Sequence, residues 1–94
     1  MRIVVWSTPE EQAQGLQGRP RVEPDTLFVF PGVAPGGVFH SRNVLEPFDI
    51  GFLRRDYSLI GFRTMVPEAD VVVLPPETAC VVEAKAGTLG RLAR

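Results

Sequence analysis

Apolar and polar positions alternate along this chain in short runs broken by glycine and proline, and most runs carry the period of a strand. Ile3 to Trp6 is a β-branched stretch that predicts a first strand. Thr26-Leu27-Phe28-Val29-Phe30 predicts a second. In it Leu27 and Val29 point one way and Phe28 and Phe30 the other, so both faces are apolar and both are expected to be covered. Val38-Phe39-His40 opens another extended stretch after the breaker Pro35-Gly36-Gly37. From Pro47 to Leu53, Phe48, Ile50 and Phe52 share one face at period two, while Asp49 and Gly51 share the other. Leu59 to Val66 resumes after the polar turn Arg54-Arg55-Asp56-Tyr57-Ser58, so residues 48–66 predict a hairpin. Val71 to Leu74 ends at Pro75-Pro76, and Ala79 to Ala86, closed by Gly87, is the last clear strand.

One segment departs from this pattern. In Thr8-Pro9-Glu10-Glu11, Thr8 caps a helix, Pro9 suits its first position and Glu11 stands three residues after the cap. The two glutamates complement the positive end of the helix dipole. The helix is expected to run to Gln14, to stop at Gly15, and to turn Ala13 and Leu16 inward. A helix this short is marginal alone and must dock on the strands.

About six strands, turns every eight to twelve residues and one short N-terminal helix predict a mainly β (α+β) fold, either barrel-like or a two-layer sheet. At 94 residues the chain makes a single domain spanning 1–94. With 45% hydrophobic and 22% charged residues it has the composition of a folded protein. Phe28, Phe30, Phe39, Phe48, Phe52 and Phe62 are expected in the core, and Trp6 and Tyr57 at the surface.

A net charge of −1, with Arg54-Arg55 the only adjacent basic pair and Asp56 next to it, argues against a nucleic-acid partner. No stretch approaches the length of a membrane-spanning helix, and the apolar N-terminus is too short for a signal peptide, so the chain is expected to be cytoplasmic. The single cysteine, Cys80, lies in an apolar run and is expected to be a buried small hydrophobe. No phosphate loop, nucleophile elbow or metal-ligand spacing occurs, so no cofactor and no metal are expected.

The polar residues that interrupt apolar stretches are Arg19, His40, Asn43 and Asp49, and these are the candidate ligand-binding residues. Asp49 either binds a ligand or pairs with Arg19 to pin the loop of residues 40–47. His40 could pack or act as a base, and Asn43 could form a turn or orient a ligand. Glu83 and Lys85 share a face of the last strand, which is expected to be solvated or to carry a cross-strand ion pair.

The order of motifs carries a resemblance. Gly15-Leu16-x-x-Arg19, then Leu27-Phe28-Val29-Phe30, then Phe39-x-x-x-Asn43-x-x-x-Pro47-Phe48-Asp49-Ile50-x-Phe52, then Pro67, then Glu83-Ala84-x-Ala86-Gly87 resembles the DUF192 family of uncharacterised prokaryotic proteins over residues 5–90. The central motif of that family commonly reads Trp-Met-Lys-Asn-Thr-x-x-Pro-Leu-Asp-Ile. Here His40 replaces an aromatic residue, Ser41 the Met and Val44 the Thr, while Gln17 stands where Met is common and Asp56-Tyr57 where an Asp-Gly turn is usual. Many relatives carry an export signal and continue through another short strand, so this chain resembles a divergent, trimmed member. The resemblance implies a compact, mainly β fold with a short helix near the N-terminus, and no activity.

Three functions follow as expectations. The first is a non-enzymatic accessory domain that binds a small polar ligand or a protein near Asp49. The second is a small hydrolase or lyase using Asp49 as acid or base, which requires His40 and Asp49 to converge within hydrogen-bond reach. The third is an oligomeric structural protein.

Overall fold

The computed structural model describes residues 1–93. Seven strands and two short helices follow one another as β1 (Arg2–Val5), α1 (Pro9–Gln14), β2 (Thr26–Pro31), β3 (Val38–His40), β4 (Phe48–Leu53), β5 (Leu59–Met65), β6 (Val71–Val73), β7 (Cys80–Lys85) and α2 (Thr88–Leu92). Five strands form one open sheet in the order β1-β2-β7-β4-β5, and β3 pairs with β6 in a separate ribbon. The sheet does not close, so the layered alternative holds and the barrel does not.

The capping box of α1 forms as its sequence dictates. Glu11 N–H donates to Thr8 Oγ1 and Thr8 N–H donates to Glu11 Oε1, each at 3.1 Å. These bonds hold the Glu11 carboxyl below its usual range, the Thr8 backbone bond being the largest cause. The helix links β1 to the parallel strand β2. Its docking contact is Gln12, because Ala13 is exposed while Leu16, just beyond the helix, is buried.

β7 is the last strand in sequence and the middle one in space, antiparallel to both β2 and β4. That insertion gives Cys80 to Glu83 strand partners on both sides. On one face, Phe28, Phe30, Phe48, Ile50 and Val81 join the main core, which the β3–β6 ribbon covers with Phe39, Val72 and Leu74. On the other, Val82 and Ala84 pack under Leu89 of α2, flanked by Leu27, Val29 and Leu53. The second layer therefore rests on α2, in the tail whose pattern predicts no element.

Two aromatic expectations fail for reasons of position. Trp6 is only 8% exposed, because it stacks on Phe28 at 4.6 Å between ring centroids and meets Phe30 edge-on at 5.3 Å. Phe62 is 40% exposed, because β5 is an edge strand with a neighbouring strand on one side only. Tyr57 sits at the exposed hairpin tip, and Cys80 is buried, which pushes its thiol pKa up and leaves it unreactive. None of the helices is long and apolar enough to cross a membrane among the described residues.

Candidate functional site

Strand alternation decides which side chains can meet, and it separates two of the four residues singled out by sequence. Asp49 leaves β4 on the α2 face and is 1% exposed. Its Oδ1 accepts from Thr64 Oγ1 at 2.7 Å, and its Oδ2 accepts from the N–H groups of Gly87 at 2.9 Å and Leu89 at 3.0 Å. Gly87, with φ of 92°, has no side chain to cap α2, and Asp49 supplies that cap from across the sheet. The carboxylate is thus occupied by the fold. It does not pair with Arg19, whose Nη1 instead meets Glu23 at 3.1 Å while its guanidinium lies 5.2 Å above Trp6 and 5.3 Å above Phe28.

His40 ends β3 over the opposite face of the sheet, so the convergence with Asp49 that a hydrolase or lyase would require does not occur. Its Nδ1 accepts the Arg42 N–H at 3.1 Å, which places the proton of the neutral ring on Nε2. Asn43 takes a left-handed backbone, with φ of 62°, and its carbonyl accepts the Gly18 N–H at 2.8 Å. Its side chain donates to Gln17 Oε1 at 3.4 Å. Both conformation and bonds tie the loop of residues 41–47 to the end of α1.

What His40 does reach is a cavity of about 350 Å³ between α1, the β3–β6 ribbon and the core face of the sheet. Leu16, Phe30, Phe39, Val44, Phe48 and Leu74 give it apolar walls. Its polar lining includes Gln12, His40 and Glu83. This volume lies at the lower end of the range for small-molecule pockets.

Glu83 is the unusual member. It projects from the central strand on the core face, between its cross-strand neighbours Phe28 and Ile50, and is 4% exposed. No described residue donates a hydrogen bond to its carboxyl, and none forms an ion pair with it. Burial alone pushes its pKa up to about 8. The expected solvated face does not exist at this position, because the ribbon and α1 cover it. Lys85, one step further along the same face, reaches the rim and pairs with Glu46 at 3.9 Å.

Gln12 is the second polar group. Its Nε2 donates to the carbonyls of Trp6 and Pro31, each at 2.9 Å, and so fastens α1 to the ends of β1 and β2. Only an amide nitrogen can serve two carbonyls, so the orientation of the side chain is fixed and Oε1 remains as an acceptor. Gln12 and Glu83 are not among the candidate ligand-binding residues of the sequence, which gives Glu83 a solvated face or a cross-strand ion pair instead. The available signal was the two-faced apolar pattern of Leu27 to Phe30, which announces a sheet covered on both sides and hence no solvated face for a carboxylate in its middle.

A family model for DUF192, described as "Uncharacterized ACR", matches residues 1–93. The chain belongs to the DUF192 family. The resemblance carried by Asn43, Pro47, Asp49 and the Glu83 to Gly87 segment is therefore one of membership. A crystal structure of a protein of unknown function from Novosphingobium aromaticivorans DSM 12444 is similar with a TM-score of 0.86 and 27% identity, over 99% of this DUF192 chain and 69% of that one. A Sinorhizobium meliloti 1021 protein, provisionally named a transcription regulator, has a TM-score of 0.84 and 24% identity over 97% of this chain and 73% of its own, a likeness of fold alone. No curated protein matches the chain.

Proposed function

We propose that this DUF192 domain is a non-enzymatic binding domain whose small ligand enters the cavity beneath the β3–β6 ribbon and is anchored by Glu83. The observation that carries the reading is a carboxyl on a residue only 4% exposed, with no hydrogen-bond donor or ion-pair partner among the described residues, lining a cavity. The Glu83 carboxyl opens on the cavity rather than being sealed from it, the enclosed side-chain atom without a hydrogen bond among the described residues being Thr78 Oγ1, and a carboxyl in a largely apolar setting gains from a donor brought to it. A ligand that supplies the donor secures that gain on binding. Of the residues that sequence singles out, His40 lines the same cavity, and Asn43 positions Gln17 at its rim. Arg19 acts more remotely, by holding Trp6 and Phe28. Asp49 keeps α2 in place and contributes to binding only through the fold.

The test is an amide-resolved NMR titration with a panel of small anions, neutral polar molecules and amines. Binding in the cavity moves the resonances of Gln12, Phe39, His40 and Phe48 together, and Val33→Trp, which fills the cavity, abolishes the shifts. A folded protein whose cavity resonances respond to no member of the panel would count against the reading.

A further inference from the structure

The polar groups of the cavity are unevenly matched, and the imbalance defines a ligand. Gln12 has spent both amide N–H groups on backbone carbonyls and presents Oε1. Gln14 and Gln17 likewise commit amide N–H groups, to the carbonyls of Gln17 and Ala13 at 2.7 and 2.8 Å. Glu83 adds two carboxyl oxygens with no donor among the described residues. No Lys or Arg lines the cavity among the described residues, so nothing is placed to receive an anion. Three phenylalanines, Phe30, Phe39 and Phe48, contribute to its wall, and aromatic faces attract cations.

From this arrangement, and resting on the cavity reading above, we infer that the ligand is a small organic amine, bound with its ammonium group against Glu83 and Gln12 Oε1 and its apolar body among Phe30, Phe39 and Phe48. The ammonium supplies the donors that the described residues withhold from Glu83, the rings receive the apolar body, and the lack of Lys and Arg in the described lining favours a cationic over an anionic head group.

The proton inventory of binding follows. Burial keeps Glu83 protonated at neutral pH in the free protein. An approaching ammonium stabilises the ionised carboxylate, so Glu83 releases its proton to solvent as the ion pair forms. The nearest charge on its own strand face, Lys85, is paired with Glu46. β2 and β4 flank Glu83 with Phe28 and Ile50, α1 lines the cavity with uncharged residues, and Arg19 above Phe28 is paired with Glu23. His40 of the ribbon is the other titratable side chain in the lining among the described residues.

Three probes of one size separate the possibilities: 2-phenylethylamine, 2-phenylethanol and phenylacetate, titrated into the intact domain at pH 7 by calorimetry in two buffers of different ionisation enthalpy. The amine is expected to bind at least about tenfold more tightly than the alcohol, with phenylacetate weakest, and to release about one proton per ligand. Glu83→Gln is expected to erase both the preference and the proton release while still binding the alcohol. His40→Gln is expected to leave both intact, which assigns the proton to Glu83. An alcohol that binds as tightly as the amine, or an amine preference that survives Glu83→Gln, overturns the inference and leaves the cavity reading standing. Failure of all three probes to move the cavity resonances overturns both.

Discussion

Two carboxylates are buried in the same sheet, one on each face, and the fold treats them oppositely. Asp49 accepts three hydrogen bonds and caps a helix; Glu83 accepts none from the described residues and borders a cavity. Burial alone therefore says little about the role of a charged group. What distinguishes the two is whether the chain completes their hydrogen bonding. A satisfied carboxylate is an element of architecture, and one left without a donor beside a cavity is free to meet a ligand there.

Substitutions sharpen this contrast, and the largest effect is expected at Asp49. Asp49→Ala removes three hydrogen bonds to one carboxylate and strands the buried Leu89 N–H, which costs at least about 3 kcal/mol. The thermal midpoint should fall by more than about 12 °C for a domain of this size. Gly51→Ala is expected to follow. A Cβ at Gly51 would stand 2.9 Å from both Leu89 Cδ1 and Val82 Cγ2, so those side chains must shift, at a cost of about 1–3 kcal/mol in chemical denaturation.

Glu83→Gln should move stability the other way, and in a pH-dependent manner. The folded protein holds the Glu83 proton up to a pKa of about 8, against an ordinary value of 4.5. Between those values the native state binds more protons than the unfolded state, so this contribution to stability is full below the lower value and is lost as pH rises through the upper one. Denaturation of the parent across pH 5 to 9 is expected to show that decline, and Glu83→Gln is expected to flatten it. The carboxylates of Glu11, Asp56 and Asp70, held low by hydrogen bonds, act in a separate window below their ordinary values, where stability falls as pH falls. Arg19→Ala is expected to have the smallest effect, about 0.5–1 kcal/mol, because it loses two aromatic contacts at a partly exposed site and one partly exposed ion pair.

The same contrast explains what could be read from sequence. The capping box of Thr8 and Glu11, the two-faced strand at Thr26 to Phe30 and the hairpin of residues 48–66 are local, and their periods and turn residues state them directly. Asp49 was legible as the polar break in an apolar strand, although its partners were not. They lie in Gly87 and Leu89, about forty residues away, in a tail with no helical pattern of its own. Glu83 was hidden by its neighbours. Beside Lys85 it has the alternation of a solvated strand face, and only the insertion of β7 between β2 and β4 buries it. Sheet order is a long-range property, so the residue that matters most for the proposed site is the one whose environment depends most on topology.

The most direct test of the account is the titration of Glu83 itself, followed through its side-chain carboxyl carbon by ¹³C NMR in the ligand-free protein. A carboxyl that is buried and unpartnered titrates with a midpoint at about 8. A midpoint in the ordinary range near 4.5 would mean that water or a donor already satisfies Glu83, and the anchor proposed for the ligand would not exist.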